Sequence, residues 1–115
     1  MKNQAAIRER YLRDPLPVRL GGLAANLARV TSFSNHPKHS ATVESLIDES
    51  KYFIEWAVPD AEADGQAELV LLQVQLARWQ LNWSRIWADP TQRAMVASQA
   101  QEWSDQVLAM SGLLD

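Results

Sequence analysis

No cysteine occurs among the 115 residues, so neither a disulfide frame nor thiolate chemistry is open to the chain, which fits a reducing compartment. Glycine is sparse, at four residues, and none of them builds a phosphate-cradling loop. Gly21-Gly22 follows no strand, so it is no dinucleotide fingerprint. No segment alternates apolar and polar residues in the manner of a strand. No uncharged apolar run approaches the roughly 20 residues that a membrane span needs. The opening Met1-Lys2-Asn3-Gln4 has no apolar stretch of signal-peptide type. No nucleophile stands beside an evident base. Together these absences predict a soluble, cytoplasmic protein without membrane association, resident metal or cofactor, and not an enzyme.

What the chain does have is apolar material. Hydrophobic residues make up 47% of it and five are tryptophan, enough for one folded domain of this length. Its net charge of −3 conceals an asymmetry. Residues 1–40 hold seven basic against two acidic groups, a net +5, and residues 41–115 hold four against twelve, a net −8. A basic arm can signify nucleic acid. Here the basic groups are spread over two helical segments without interleaved aromatics, and the chain as a whole repels phosphate. The expectation is no nucleic-acid partner, with the two halves attracting each other within a monomer or across a dimer.

Four proline-bearing points, Asp14-Pro15-Leu16-Pro17, Asn35-His36-Pro37, Val58-Pro59-Asp60 and Asp89-Pro90, divide the chain. Proline stops an incoming helix and suits the first turn of the next. Helices are therefore predicted over residues 3–13, 18–34, 40–57, 60–88 and 90–113. In the second, Leu20, Leu23, Leu27 and Val30 form an apolar face beside a stripe of small residues, Gly21, Ala25, Ala28 and Ser32, against which a helix or a bulky Trp should lie. Ser40 or Thr42 should cap the third, with Lys51 and Glu55 as an i,i+4 pair. Asp89 as N-cap, Pro90 and Gln92 mark the start of the fifth, whose seam is Val96, Ala100, Trp103, Val107, Met110 and Leu114.

The fourth segment is the most informative. As one helix it would extend about 40 Å. Leu69, Leu72, Leu76, Trp79, Trp83 and Ile86 repeat at 3-4-3-4-3 spacing. A second stripe, Val70, Val74, Ala77 and Leu81, lies about 165° away at 100° per residue. Polar strips separate them, Gln73 and Gln80 on one side and Gln75, Arg78, Asn82 and Arg85 on the other. A helix apolar on two opposite sides must be covered on both, by its own chain or by another copy. The predicted architecture is all-α: a single domain, residues 1–115, in which a four-helix bundle (residues 17–115) with one long central Trp-rich helix carries a short basic N-terminal helical arm (residues 1–16).

Three local patterns suggest chemistry. Asp60-Ala61-Glu62-Ala63-Asp64-Gly65 looks like half of a calcium-binding EF-hand loop, but the twelfth position, where that loop needs a bidentate Glu, is Leu71. The carboxylates suit a helix start instead. His36 and His39 lie three apart in a loop. To hold zinc they would need further ligands such as Glu44 or Asp48, and surface histidines are the plainer reading. Trp79, Trp83 and Trp87, with Trp103 and Trp56, could line a pocket for a flat ligand, or form core or an interface, where Trp is enriched.

The block Arg13-Asp14-Pro15-Leu16-Pro17-Val18-Arg19-Leu20-Gly21-Gly22-Leu23-Ala24-Ala25-Asn26-Leu27, with Trp79-Gln80-Leu81-Asn82-Trp83, resembles small uncharacterised all-helical proteins of oxygenic photosynthetic bacteria. That resemblance implies a cytoplasmic setting and brings no activity and no site residues.

The function expected from the residues is a non-enzymatic helical interaction module that self-associates, most simply as a two-fold homodimer. Leu72, Leu76, Trp79, Trp83, Ile86 and Trp103 are the interface candidates. The alternatives are a small-molecule- or metal-binding bundle using the Trp cluster or His36 and His39, and an adaptor that engages a protein partner through Arg8, Arg10 and Arg13.

Overall fold

A computed structural model describes residues 3–114. Among these residues six α-helices follow one another: α1 (Gln4–Leu12), α2 (Leu16–Phe33), α3 (Ser40–Ala57), α4 (Ala63–Leu81), α5 (Trp83–Ala88) and α6 (Pro90–Ser111). Single 3-10 turns at Pro37–His39 and Val58–Asp60 lead into and out of α3. No strand occurs among the described residues.

The starts and stops follow local chemistry. Asn3 Oδ1 accepts from the Ala6 amide at 3.2 Å and opens α1. Pro15 and Pro17 open α2. The Asp89 carboxylate accepts from the Thr91 amide at 2.9 Å ahead of Pro90, as the sequence predicts for α6. Gly112, at φ 77°, ends that helix in the left-handed conformation that glycine tolerates. The cap expected for α3 is absent. The preceding 3-10 turn runs directly into the helix, and Ser40 becomes its first residue without a side-chain cap. The Ser40 hydroxyl instead accepts from the Trp83 indole at 3.1 Å.

α2 lies at the centre, with α6 along one side and α3 along the other; α4 packs on α3. Small residues let α2 and α6 approach closely. Ala24, Ala97 and Ala100 are buried, and two hydroxyls cross the seam, Ser104 Oγ to the Ala24 carbonyl at 2.7 Å and Thr31 Oγ1 to the Ala97 carbonyl at 2.9 Å. The stripe expected to make this approach does not. Leu113 covers Gly21, where an added Cβ would sit 2.8 Å from its Cδ1, and Ala25 and Ser32 are exposed. The close contact falls one residue round the helix, on Ala24. Leu114, expected in the α6 seam, is exposed beyond the helix end.

The predicted 29-residue helix is broken. Residues 60–62 belong to the 3-10 turn and an extended cap, and the helix halts again at Asn82, whose φ of −115° and ψ of 18° are not helical. The Asn82 amide side chain donates to the Arg78 carbonyl at 2.9 Å and accepts from Arg85 at 2.7 Å. An asparagine offers the backbone such local partners in competition with the helix ladder. Two indoles hold α5 in its new direction. Trp83 bonds Ser40, and Trp87 Nε1 donates to the Pro37 carbonyl at 2.6 Å. α4 is consequently 19 residues long, about 28 Å.

Gln73 and Gln80 form the strip that faces α3. Gln73 donates to the Lys51 carbonyl at 3.1 Å and Gln80 to Asp48 at 3.1 Å, while Lys51 bonds Gln80. Lys51 therefore points at α4 and makes no ion pair with Glu55.

Candidate interaction surface

α4 uses one of its two apolar stripes inside the chain. Leu69, Leu72 and Leu76 are buried, and the seam continues into α5 with Trp83, Ile86 and Trp87. On the opposite stripe Val70, Val74 and Leu81 are exposed and Ala77 is half-buried. Leu81 is 86% exposed, Val70 45% and Val74 43%, and Leu71 beside them is 66% exposed. Each of these side chains gives up apolar contact that the fold could have used, so the stripe is a surface feature rather than a core remainder. The 4-3-4 spacing of Val70, Val74, Ala77 and Leu81 is that of a heptad seam.

Next to this stripe α4 and α6 diverge, and an open groove of about 1030 Å³ runs between them. Leu16, Leu20, Leu72, Trp103 and Met110 contribute apolar lining, and Glu62, Asp64 and Glu68 line it from the start of α4. A second cleft of about 410 Å³ continues along the helices, between Trp79, Ile86, Met95 and Trp103. The Trp79 and Trp103 rings, 4.8 Å apart between centroids and tilted by 37°, border this cleft and bridge α4 to α6.

Charge is graded along α4. Glu62, Asp64 and Glu68 lie in or before its first turns, and Arg78 and Arg85 lie at and beyond its far end; all five are exposed. Gln75, on the strip shared with Arg78, lines both clefts.

The six residues predicted as interface candidates divide accordingly. Leu72, Leu76, Trp83 and Ile86 are buried in the core of a single chain. They are occupied in holding α4 and α5 to the rest of the fold, and only Leu72 and Ile86 also line the clefts. Trp79 and Trp103 are half-buried at the cleft. The free apolar surface belongs to the second stripe, which periodicity identified without telling which stripe the chain would cover.

The other candidates resolve more simply. His36 is exposed and His39 half-buried, with ring centroids 5.5 Å apart. No cluster of three or more His, Cys, Asp or Glu able to hold a metal occurs among the described residues. Asp60, first residue of the calcium-loop pattern, pairs with Arg19 at 2.8 Å. Trp56 is buried between Tyr11 and Tyr52. Arg8 and Arg10 are exposed on α1, and Arg13 pairs with Glu9 at 2.8 Å.

Sequence reasoning missed Arg19, which it counted only among the basic groups of residues 1–40. Its side chain is 6% exposed. Nε donates to the Asp14 carbonyl at 3.0 Å, Nη1 to the Trp56 carbonyl at 3.3 Å and Nη2 to Asp60 at 2.8 Å. The Arg19 carbonyl accepts from the Tyr11 hydroxyl at 2.8 Å, and the Tyr11 ring stacks on Phe53 at 4.2 Å. Burial pushes the Tyr11 hydroxyl well above its usual pKa, with the Arg19 charge offsetting part of the rise. This cluster ties α1, α2 and the end of α3 together. One signal for it existed: Arg19, Leu23, Asn26 and Val30 share a 4-3-4 spacing, so Arg19 falls on a buried face.

The chain matches no protein-family model, no curated protein and no solved structure.

Proposed function

We propose that this protein is a non-enzymatic helical interaction module that self-associates as a two-fold dimer through the exposed face of α4. The exposed apolar residues Val70, Leu71, Val74 and Leu81 are the observation that supports it. In this reading the four long helices form a bundle left open along α4, and a second copy supplies the missing cover. The setting proposed for it is the cytoplasm.

Sedimentation from micromolar to low millimolar concentration tests the proposal. Dimer growing with concentration is expected, and a monomer throughout would refute it. Val74→Glu and Leu81→Glu are the informative variants, because both positions are exposed and the fold should survive the charge. Leu76→Glu or Trp83→Glu would place the charge in the core and report on folding instead.

A second reading is favoured by the two clefts beside Trp79 and Trp103: an apolar small molecule bound between α4 and α6. A shift in tryptophan emission with a panel of flat apolar ligands, abolished by Trp103→Leu, is its test. No response across the panel counts against it.

A further inference from the structure

We infer that the joined clefts between α4 and α6 receive an amphipathic helix of a partner protein, with its basic residues over the start of α4. α2 packs against α6 and α3, and α3 against α4, so the side between α4 and α6 is left open. The two clefts share Gln75 and Trp103 and together follow α6 from Met110 back to Gln92, about 27 Å, or about five turns of a docked helix. Leu16, Leu20, Leu72 and Trp103 supply an apolar floor, with Met110 toward one end and Met95 toward the other. Methionine adapts to irregular apolar partners. Charge selects the occupant. Among the described residues, every charged side chain lining the clefts is a carboxylate, Glu62, Asp64 or Glu68, and none of the three forms an ion pair. A helix start accounts for Glu62 and Asp64, but the dipole effect ends within the first turn and Glu68 is the sixth residue of α4. The cleft beyond Gln75 has no charged lining. The complementary surface is a helix with an apolar stripe throughout and Lys or Arg at the end above Glu62 and Glu68. Between that helix and the small molecule considered above, the shape favours the helix. Ligand pockets enclose about 70–90% of their ligand, whereas an open groove covers one face of a helix and leaves its polar face in water. The chain's own basic helix is not the occupant, because α1 already buries Tyr11 against Phe53 of α3. The self-association proposed above uses another surface, since Val70, Val74 and Leu81 do not line these clefts.

The probe is a synthetic, tryptophan-free peptide of about 18 residues, long enough to follow the groove. It carries leucine at i, i+3, i+4, i+7 spacing, lysine on the polar face of one half and glutamine on that of the other. Titrated against the protein, it should change tryptophan emission through Trp79 and Trp103, the half-buried indoles at the clefts. The same peptide with glutamate for lysine should bind at least about tenfold more weakly. Glu62→Lys combined with Glu68→Lys should weaken the lysine peptide by about tenfold, as lost pairs become repulsions. Both positions are exposed, so the far-UV circular dichroism of that variant should be unchanged. Val74→Glu, outside the groove, should bind the lysine peptide as the unaltered chain does. A lysine peptide that does not bind overturns the proposal. So do equal affinities for the lysine and glutamate peptides, or an affinity indifferent to the double charge reversal. A loss on Val74→Glu would move the peptide to the exposed face of α4 and overturn the groove as its site. If dodecyltrimethylammonium changes the emission and no peptide does, the groove takes a small cationic amphiphile and the helix is refuted.

Discussion

Replacing Arg19 with methionine tests the energetic reasoning most directly. Methionine retains the apolar stem and removes the guanidinium, which is 6% exposed. Three acceptors lose a donor, and their surroundings decide the cost. Asp60 is 54% exposed and can return to water, so its share is that of a surface pair, about 1 kcal/mol or less. The Asp14 carbonyl belongs to an exposed residue and can also hydrate. The Trp56 carbonyl cannot do so readily. It is among the last carbonyls of α3, which lack a helical partner, and its bond to Arg19 is buried. Leaving a buried acceptor unpaired costs about 1–3 kcal/mol, and removing a cation from a helix C-terminus costs up to about 1 kcal/mol more. The sum is roughly 3 kcal/mol. At about 4 °C per kcal/mol for a domain of this size, the melting temperature should fall by roughly 12 °C when followed by far-UV circular dichroism. Arg19→Lys, with one donor group in place of a fork, should fall between. Asp60→Asn should lose no more than a third as much as Arg19→Met. Equal losses for Arg19→Met and Asp60→Asn would show that the ion pair, and not the buried carbonyl, carries the energy. A loss under about 1 kcal/mol for Arg19→Met would refute the argument altogether.

Three further outcomes follow from the same structure. Gly21→Ala should stabilise the chain by up to about 1 kcal/mol in urea unfolding, because the helix gains propensity and the obstructing Leu113 Cδ1 is the far end of a half-exposed side chain beyond α6 that can swing aside; a loss would mean that Leu113 is held there. Leu76→Ala should cost about 2–5 kcal/mol by the same assay, as a fully buried leucine leaves a cavity, whereas Leu81→Ala should leave monomer stability within about 0.5 kcal/mol and act only on association. Stability should fall as pH rises past 10, the ordinary Tyr value. The unfolded chain then ionises Tyr11 while the folded chain, whose value lies higher, keeps it protonated, so the contribution present below pH 10 is lost progressively. Tyr11→Phe should flatten that alkaline decline, and an unchanged slope would assign it to other groups.

The helices and most of their ends were legible from the residues because their causes are local. Proline at positions 15, 17, 37, 59 and 90 punctuates the chain, and the α3 bounds agree with the residues predicted. What sequence reasoning could not see was long-range. The heptad seam continues from Trp79 to Ile86 without a fault, so periodicity alone predicts an unbroken helix there. The break becomes favourable because two indole N–H groups reach Ser40 and the Pro37 carbonyl, 43 and 50 residues away. Asn82 was the local clue, a side chain able to bond its own backbone, although its spacing places it in a polar strip. The candidate surface was half legible in the same sense. Two stripes were visible, but which one the chain covers depends on where α3 lies, and that is written in Gln73 and Gln80 bonding Lys51 and Asp48.

The same pairing explains why the proposed dimer should be weak and the monomer adequate. Covering one stripe of α4 already buries Leu69, Leu72 and Leu76 with the polar groups of the α3 seam bonded, so the folded chain does not depend on a partner. The second stripe and its neighbour Leu71 offer Val70 and Val74, each more than half shielded, and Leu71 and Leu81, which are mostly exposed. Full burial of such a side chain contributes about 1.5–3 kcal/mol, so the part still exposed contributes roughly 1 kcal/mol each and about 8 kcal/mol over two copies. Association itself costs at least about 4 kcal/mol. The remainder, about 4 kcal/mol, is what a millimolar dissociation constant represents. Across the ion pairs of the described residues, Arg19–Asp60 alone joins the basic first part of the chain to its acidic remainder. Arg78, Arg85, Asp64 and Glu68 form no ion pair among the described residues. In the proposed dimer, apolar contact along α4 therefore sets where two copies touch, and the small exposed area keeps their affinity low.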